Sequence, residues 1–199
     1  CLVGSEMCIR DRVSEGEKSY TCNQFSLSSE RPMIGFCPGA EFGPAKRWPH
    51  YHYAELAKQL IDEGYQVVLF GSAKDHEAGN EILAALNTEQ QAWCRNLAGE
   101  TQLDQAVILI AACKAIVTND SGLMHVAAAL NRPLVALYGP SSPDFTPPLS
   151  HKARVIRLIT GYHKVRKGDA AEGYHQSLID ITPQRVLEEL NALLLQEEA

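Results

Sequence analysis

A chain of 199 residues, 45% hydrophobic and 21% charged, has ordinary globular composition and is long enough for one full-sized domain. No run approaches the roughly 20 apolar residues that cross a bilayer, which excludes a membrane-spanning helix. The formal charge of −6 argues against a general nucleic-acid binder, because such proteins present a basic face. The six cysteines, Cys1, Cys8, Cys22, Cys37, Cys94 and Cys113, contain no C-x-x-C pair. They read as reduced thiols of a cytoplasmic protein rather than as a zinc site or a disulfide framework.

The opening stretch, Cys1 to Arg12 (CLVGSEMCIRDR), has no charged region followed by an apolar segment and is not a signal peptide. It reads as translated adapter sequence, an artefactual or disordered leader, with the natural protein expected to begin further upstream. Residues 13–31 read as a linker, and one domain is expected over 32–199. Met33 to Cys37 is a buried-strand pattern stopped by Pro38-Gly39. Tyr53, Leu56, Ala57, Leu60 and Ile61 recur at helical spacing, and Gly64 ends that helix. Gln66 to Phe70 predicts a strand; Ile82, Ala85 and Leu86 predict a second helix; Leu97 and its neighbours predict a short strand. Leu103, Ala106, Val107, Ile110 and Ala111 form a third stripe, followed by a strand over Ala115 to Thr118. A small-residue helix over Ser121 to Leu130 leads to a strand over Leu134 to Tyr138. Val155 to Ile159 is a final strand candidate. Thr182-Pro183 starts a last helix over about 183–196, with Val186, Leu187, Leu190, Leu193 and Leu194 on one side. Strand–helix alternation of this kind is the pattern of a Rossmann-like α/β fold, a parallel sheet with helices on both faces, whose ligands sit at the carboxyl ends of the strands.

Two motifs lie at such ends. Asn119-Asp120-Ser121-Gly122-Leu123-Met124-His125 follows a strand and opens a helix, which points the N–H groups of a first turn at an anion. Gly122 permits close approach to the backbone, and Ser121 and His125 are one helical turn apart. The bland alternative makes Asp120 or Ser121 a helix cap and His125 a packed side chain. The second motif, PGAEFGPAKRWP over residues 38–49, is a Gly/Pro-rich loop that can aim Lys46 at a phosphate. Its bland reading is a surface loop with solvated Lys46 and Arg47 and a packing Trp48. There is no G-x-G-x-x-G, no Walker-type phosphate loop, no G-x-S-x-G elbow and no H-E-x-x-H spacing, so no metal site is expected. Residues 151–167 hold Lys152, Arg154, Arg157, Lys164, Arg166 and Lys167 and no acid. That stretch reads either as a solvated face or as a contact for an anionic substrate or membrane surface.

The stretches PGAEFGPAKRWP, VLFGSAKD, NLAGETQLDQA, VTNDSGLMHVAAAL and LVALYGPSSP, in this order, resemble the carboxyl-terminal half of the lipopolysaccharide heptosyltransferases. The likeness runs from about Val13 to Ala199, and D-[ST]-G-x-x-H is the mark of the wider family. It implies a GT-B arrangement of two Rossmann-like domains, of which this chain is the donor-binding half. The implied reaction transfers L-glycero-D-manno-heptose from ADP-heptose to the first heptose of the lipopolysaccharide inner core, with inversion and without a metal or other cofactor. By the same resemblance Lys46 contacts the donor phosphates, and Asp120, Ser121, Gly122 and His125 line the diphosphate and sugar. Phe42 and Thr101 fall where the family contacts the donor. The acceptor site and the carboxylate base are implied to lie in an amino-terminal domain, so this chain alone is expected to bind ADP weakly and to transfer nothing. The last helix is implied to pack back toward that other domain, which would leave its apolar stripe exposed here. The implied location is the cytoplasm, with peripheral contact at the inner membrane. Two other readings stand beside this one: another heptosyltransferase of the family with a different acceptor, and a non-catalytic nucleotide-binding module.

Overall fold

The computed structural model describes residues 13–41, 43–161, 165, 168 and 170–198. The leader over residues 1–12 and Phe42 therefore lie outside the described residues, as do Lys164, Arg166 and Lys167. The described chain opens with helix α1 (Glu15–Gln24), where a linker was expected. Its signal is a capping box, in which Ser14 accepts from the Glu17 N–H and the Glu17 carboxylate accepts from the Ser14 N–H. The helix packs against α5 through partly buried Cys22 and, just past its end, Phe25.

Strand β1 (Met33–Cys37) leads through a short 3₁₀ turn (Pro44–Lys46) to α2 (His50–Asp62), β2 (Gln66–Leu69), a turn at Ala73–Asp75 and α3 (His76–Ala84). The end of α2 is closed by Gly64, whose φ of +93° suits a residue without Cβ. There Gly64 N–H bonds to Ile61 and Tyr65 N–H to Leu60, the paired bonds of a Schellman motif. Next come the short α4 (Thr88–Gln91), β3 (Cys94–Asn96), α5 (Leu103–Ala112), β4 (Ala115–Asn119), α6 (Gly122–Ala129) and β5 (Leu134–Tyr138). The chain ends with β6 (Ala153–Arg157), a turn at Ala171–Gly173, α7 (Gln176–Ile179) and α8 (Pro183–Glu198). Two strands are shifted from their expected places: β3 ends before Leu97, and β6 starts two residues before Val155.

The strands form one six-stranded sheet in the order β3-β2-β1-β4-β5-β6, every neighbouring pair parallel. This is the expected Rossmann-like α/β architecture. Successive strand residues face opposite sides. Val67, Leu69, Val117, Val135 and Leu137 pack under α2, α3 and α8, while Val68, Ile116, Leu134, Ala136 and Tyr138 pack under α1, α5 and α6. The stripe of α8 is not left exposed for another domain. Val186, Leu187, Leu190, Leu193 and Leu194 are all buried against α2 and the sheet of this same chain. Burying each such side chain stabilises the fold by about 1.5–3 kcal/mol, which is ample to hold the helix at home. The described cations of the basic stretch are also engaged within the chain. Lys152 pairs with Glu197, Arg154 donates to the Gln196 side chain, and Arg157 donates to the Gly139 and Gly161 carbonyls.

Candidate active site

Connections from β1 run toward β2 on one side, and those from β4 run toward β5 on the other. The order therefore reverses between β1 and β4, and a crevice opens beyond their carboxyl ends. Both sequence motifs leave the sheet there: 38–49 from β1 and 119–125 from β4.

One buried amide ties them together. Asn119, the last residue of β4, is completely buried. Its Nδ2 donates to the Pro38 carbonyl at 2.7 Å and to that of Gly39 at 3.4 Å. Its Oδ1 accepts from the Trp48 N–H at 3.0 Å and from the Tyr53 hydroxyl at 3.2 Å. Trp48 is itself anchored, its indole N–H donating to the Ile181 carbonyl at 2.8 Å. Asp75 holds the loop from its other side. Its Oδ2 accepts from the Ser72 N–H at 2.9 Å and hydroxyl at 2.7 Å, while Oδ1 receives Arg47 at 3.3 Å. Burial pushes the Cys37 thiol up to about 12 and the Tyr53 phenol well above its usual range, so both stay protonated and neutral beside the crevice.

With the loop fixed in this way, Lys46 Nζ donates to Asp120 Oδ2 at 2.9 Å, joining the two motifs by an ion pair. Asp120 Oδ1 accepts from the Thr146 hydroxyl at 3.2 Å. Ser121 occupies the cap position of α6, yet its hydroxyl makes no capping bond and lies 3.3 Å from Thr118 Oγ1. The first turn of α6 thus has no side-chain cap over it. A Cβ built on Gly122 meets no atom of the described residues within 4 Å, so their packing does not demand glycine there. What the missing side chain leaves is room for another molecule against the backbone, at the positive end of a helix.

Beside this turn lies a cavity of about 490 Å³, whose lining includes Cys37, Phe70, Thr101, Ser121, Gly122 and Val126. Its walls are predominantly apolar, as in most small-molecule pockets. The structure therefore brings Thr101, Ser121 and Gly122 together on one cavity and sets Lys46 and Asp120 as a pair beside it. It does not bring in His125, which is exposed on α6 and outside the cavity lining. Residue-by-residue reading missed Asn119, Asp75 and Thr146. Asn119 stood inside a quoted motif, but its partners are 71 and 81 positions away and only the sheet order brings them to it. Among the described residues there is no cluster of three or more His, Cys, Asp or Glu that could hold a metal ion.

Residues 8–175 match the model of glycosyltransferase family 9 (heptosyltransferase). The chain belongs to glycosyltransferase family 9. It is 91% identical over 186 residues to lipopolysaccharide heptosyltransferase 2 of Salmonella typhimurium, covering 94% of this chain and 53% of that protein. It is 69% identical over 187 residues to lipooligosaccharide heptosyltransferase 2 of Haemophilus influenzae, covering 92% of this chain and 54% of that one. The solved structure of E. coli ADP-heptose lipopolysaccharide heptosyltransferase II superposes with a TM-score of 0.88 at 94% sequence identity, covering 94% of this chain and 54% of that structure. This family 9 chain thus spans about half the length of the relatives it matches. Among its described residues no helix is long and apolar enough to cross a membrane.

Proposed function

We propose that this chain holds the donor site of an inverting heptosyltransferase that moves L-glycero-D-manno-heptose from ADP-heptose to the first heptose of the lipopolysaccharide inner core. The observation that carries the reading is the meeting, at the strand-order reversal, of an apolar cavity, a lysine and an open helix start. The adenosine occupies the cavity. The diphosphate lies against Gly122 and the first turn of α6, and Lys46 turns from Asp120 to the phosphates. In the reaction an acceptor hydroxyl oxygen bonds to the anomeric carbon while the bond from that carbon to the phosphate oxygen breaks. Its electron pair leaves with ADP, and the hydroxyl proton passes to a base. Lys46 and the backbone N–H groups offset the charge that grows on the leaving ADP, which gives the site a way to work without a metal. Removing one such preorganised donor costs about 2.7–4 kcal/mol in other enzymes.

The base and the acceptor site belong, on this reading, to the part of the relatives that this chain does not match. The chain is accordingly placed in the cytoplasm, next to the inner membrane. We assign the basic stretch over residues 151–167 to contact with an anionic substrate or membrane surface. Calorimetric titration of the 199-residue chain with ADP, with UDP as control, tests the donor site. Binding of ADP over UDP, lost in Lys46→Ala, is the expected result. A folded chain that binds neither, or binds both alike, overturns the reading.

A further inference from the structure

Thr146 lies in the loop after β5, far along the chain from both motifs, and its hydroxyl donates to the one Asp120 oxygen that Lys46 does not take. The Thr146 carbonyl is in turn held by the hydroxyl of Tyr138, which also reaches Met124 Sδ at 3.3 Å. Burial and the nearby Asp120 charge raise the Tyr138 phenol, so it keeps the proton that it donates. Thr146 is thus an exposed side chain on a fixed backbone. The Asp120 side chain is only 8% exposed, so its charge depends on these donors rather than on water.

A ligand shifts an equilibrium only through interactions that differ between the two states. Without ligand, Asp120 has both Lys46 and Thr146. If Lys46 turns to a diphosphate, Asp120 keeps Thr146 and gains an anionic neighbour. A hydrogen bond to an otherwise unpaired carboxylate is worth more than one to a paired carboxylate. We propose that Thr146 is a positioning residue that holds the Asp120 carboxylate in place, back from the donor diphosphate, when Lys46 is drawn onto the phosphates. The inference rests on the donor-site reading given above.

ADP titrations of the 199-residue chain test it, with melting temperatures measured on every variant. Thr146→Val weakens ADP binding about tenfold, equivalent to about 1.4 kcal/mol, while Thr146→Ser stays within about twofold of the parent because it keeps the hydroxyl. In an Asp120→Asn background there is no carboxylate to hold, and the Val substitution changes affinity by less than about twofold. The melting temperature of Thr146→Val matches the parent. Parent-like binding by Thr146→Val overturns the inference alone. So does an unrescued Ser variant, a full penalty that persists beside Asp120→Asn, or a loss that only tracks a lower melting temperature. A parent chain that binds no ADP overturns both the inference and the reading beneath it.

Discussion

The segments that follow β1 and β4 flank one crevice, and two of their glycines, Gly39 in the first and Gly122 at the start of α6, answer to different neighbours. A Cβ on Gly39 would lie 2.5 Å from Cγ of Asp75 and 2.6 Å from both of its carboxylate oxygens. That carboxylate is tethered to Ser72 and Arg47 and has nowhere to go. A Cβ on Gly122 would meet no atom of the described residues within 4 Å. The first loop is therefore shaped by the chain's own packing, whereas the second borders a space that the described residues do not fill. A glycine that packing does not require is the more informative about function.

The largest expected effect strikes both loops at once. Asn119→Leu keeps roughly the volume but leaves the Pro38 carbonyl and the Trp48 N–H without their partner in a fully buried place, and leaves the Tyr53 hydroxyl only the Cys37 carbonyl at 3.4 Å. Stranded buried polar groups of this kind add up to about 3–5 kcal/mol of lost stability. At about 2–4 °C per kcal/mol for a domain of this size, the melting temperature falls by about 6–20 °C. A drop of only a few degrees, followed by circular dichroism, would mean that the two loops are held independently.

The glycines themselves come next. Gly39→Ala lowers stability by about 1–3 kcal/mol, because backbone or Asp75 must move to admit the methyl group. Gly122→Ala leaves stability unchanged or raises it by up to about 1 kcal/mol, since alanine is the better helix former. The same substitution weakens ADP binding tenfold or more, about 1.4 kcal/mol. Thermal melts and ADP titrations on the two variants read the contrast directly. A Gly122→Ala chain that binds ADP like the parent would remove the distinction between the loops.

This contrast marks what the sequence can and cannot disclose. Strands β1, β2, β4 and β5 are buried on both faces, so they appear as unbroken apolar runs with Gly or Pro beyond them. β6 lies at the sheet edge, and in Ala153–Arg157 only Ile156 is fully buried, which is why its register was misplaced. Helix α1 buries only Thr21 completely and has no apolar stripe; its capping box was the one available signal. That Lys46, Asp120, Ser121 and Gly122 lie around one crevice follows from motifs that sit at neighbouring strand ends. Asn119, Asp75 and Thr146 act through partners on other loops, and no local pattern announces such partners. His125, which both the one-turn spacing from Ser121 and the D-[ST]-G-x-x-H resemblance put at the site, is exposed on α6 and outside the cavity lining.

A smaller effect concerns the ion pair that joins the loops. Lys46→Met leaves the Asp120 carboxylate at 8% exposure with the Thr146 hydroxyl as its remaining described donor. Partial exposure of the pair limits the expected loss to about 1–2 kcal/mol. Adding Asp120→Asn to Lys46→Met removes the unpaired charge and restores most of that loss. If the double variant melts no higher than Lys46→Met, the pair contributes by packing rather than by charge.

The smallest effect is confined to the first loop and depends on pH. Trp48 anchors that loop, and His52 lies stacked on it with ring centroids 5.4 Å apart while its Nε2–H donates to the Ile179 carbonyl at 2.9 Å. Burial lowers the His52 pKa, and the bond to Ile179 opposes that shift only in part. The folded-state value therefore lies below the unfolded one of about 6.5. As pH falls through that unfolded value the unfolded chain takes up the proton first, so the contribution of His52 is complete above about pH 6.5 and is lost below it. The ring is only half buried, and the loss stays below about 1 kcal/mol. Melting temperatures measured from pH 8 to pH 5 should show an acid decline in the parent that is shallower in His52→Gln. Curves of equal slope would mean that the Trp48 anchor is indifferent to the charge on His52, leaving Asn119 and Asp75 to hold the loop that carries Lys46.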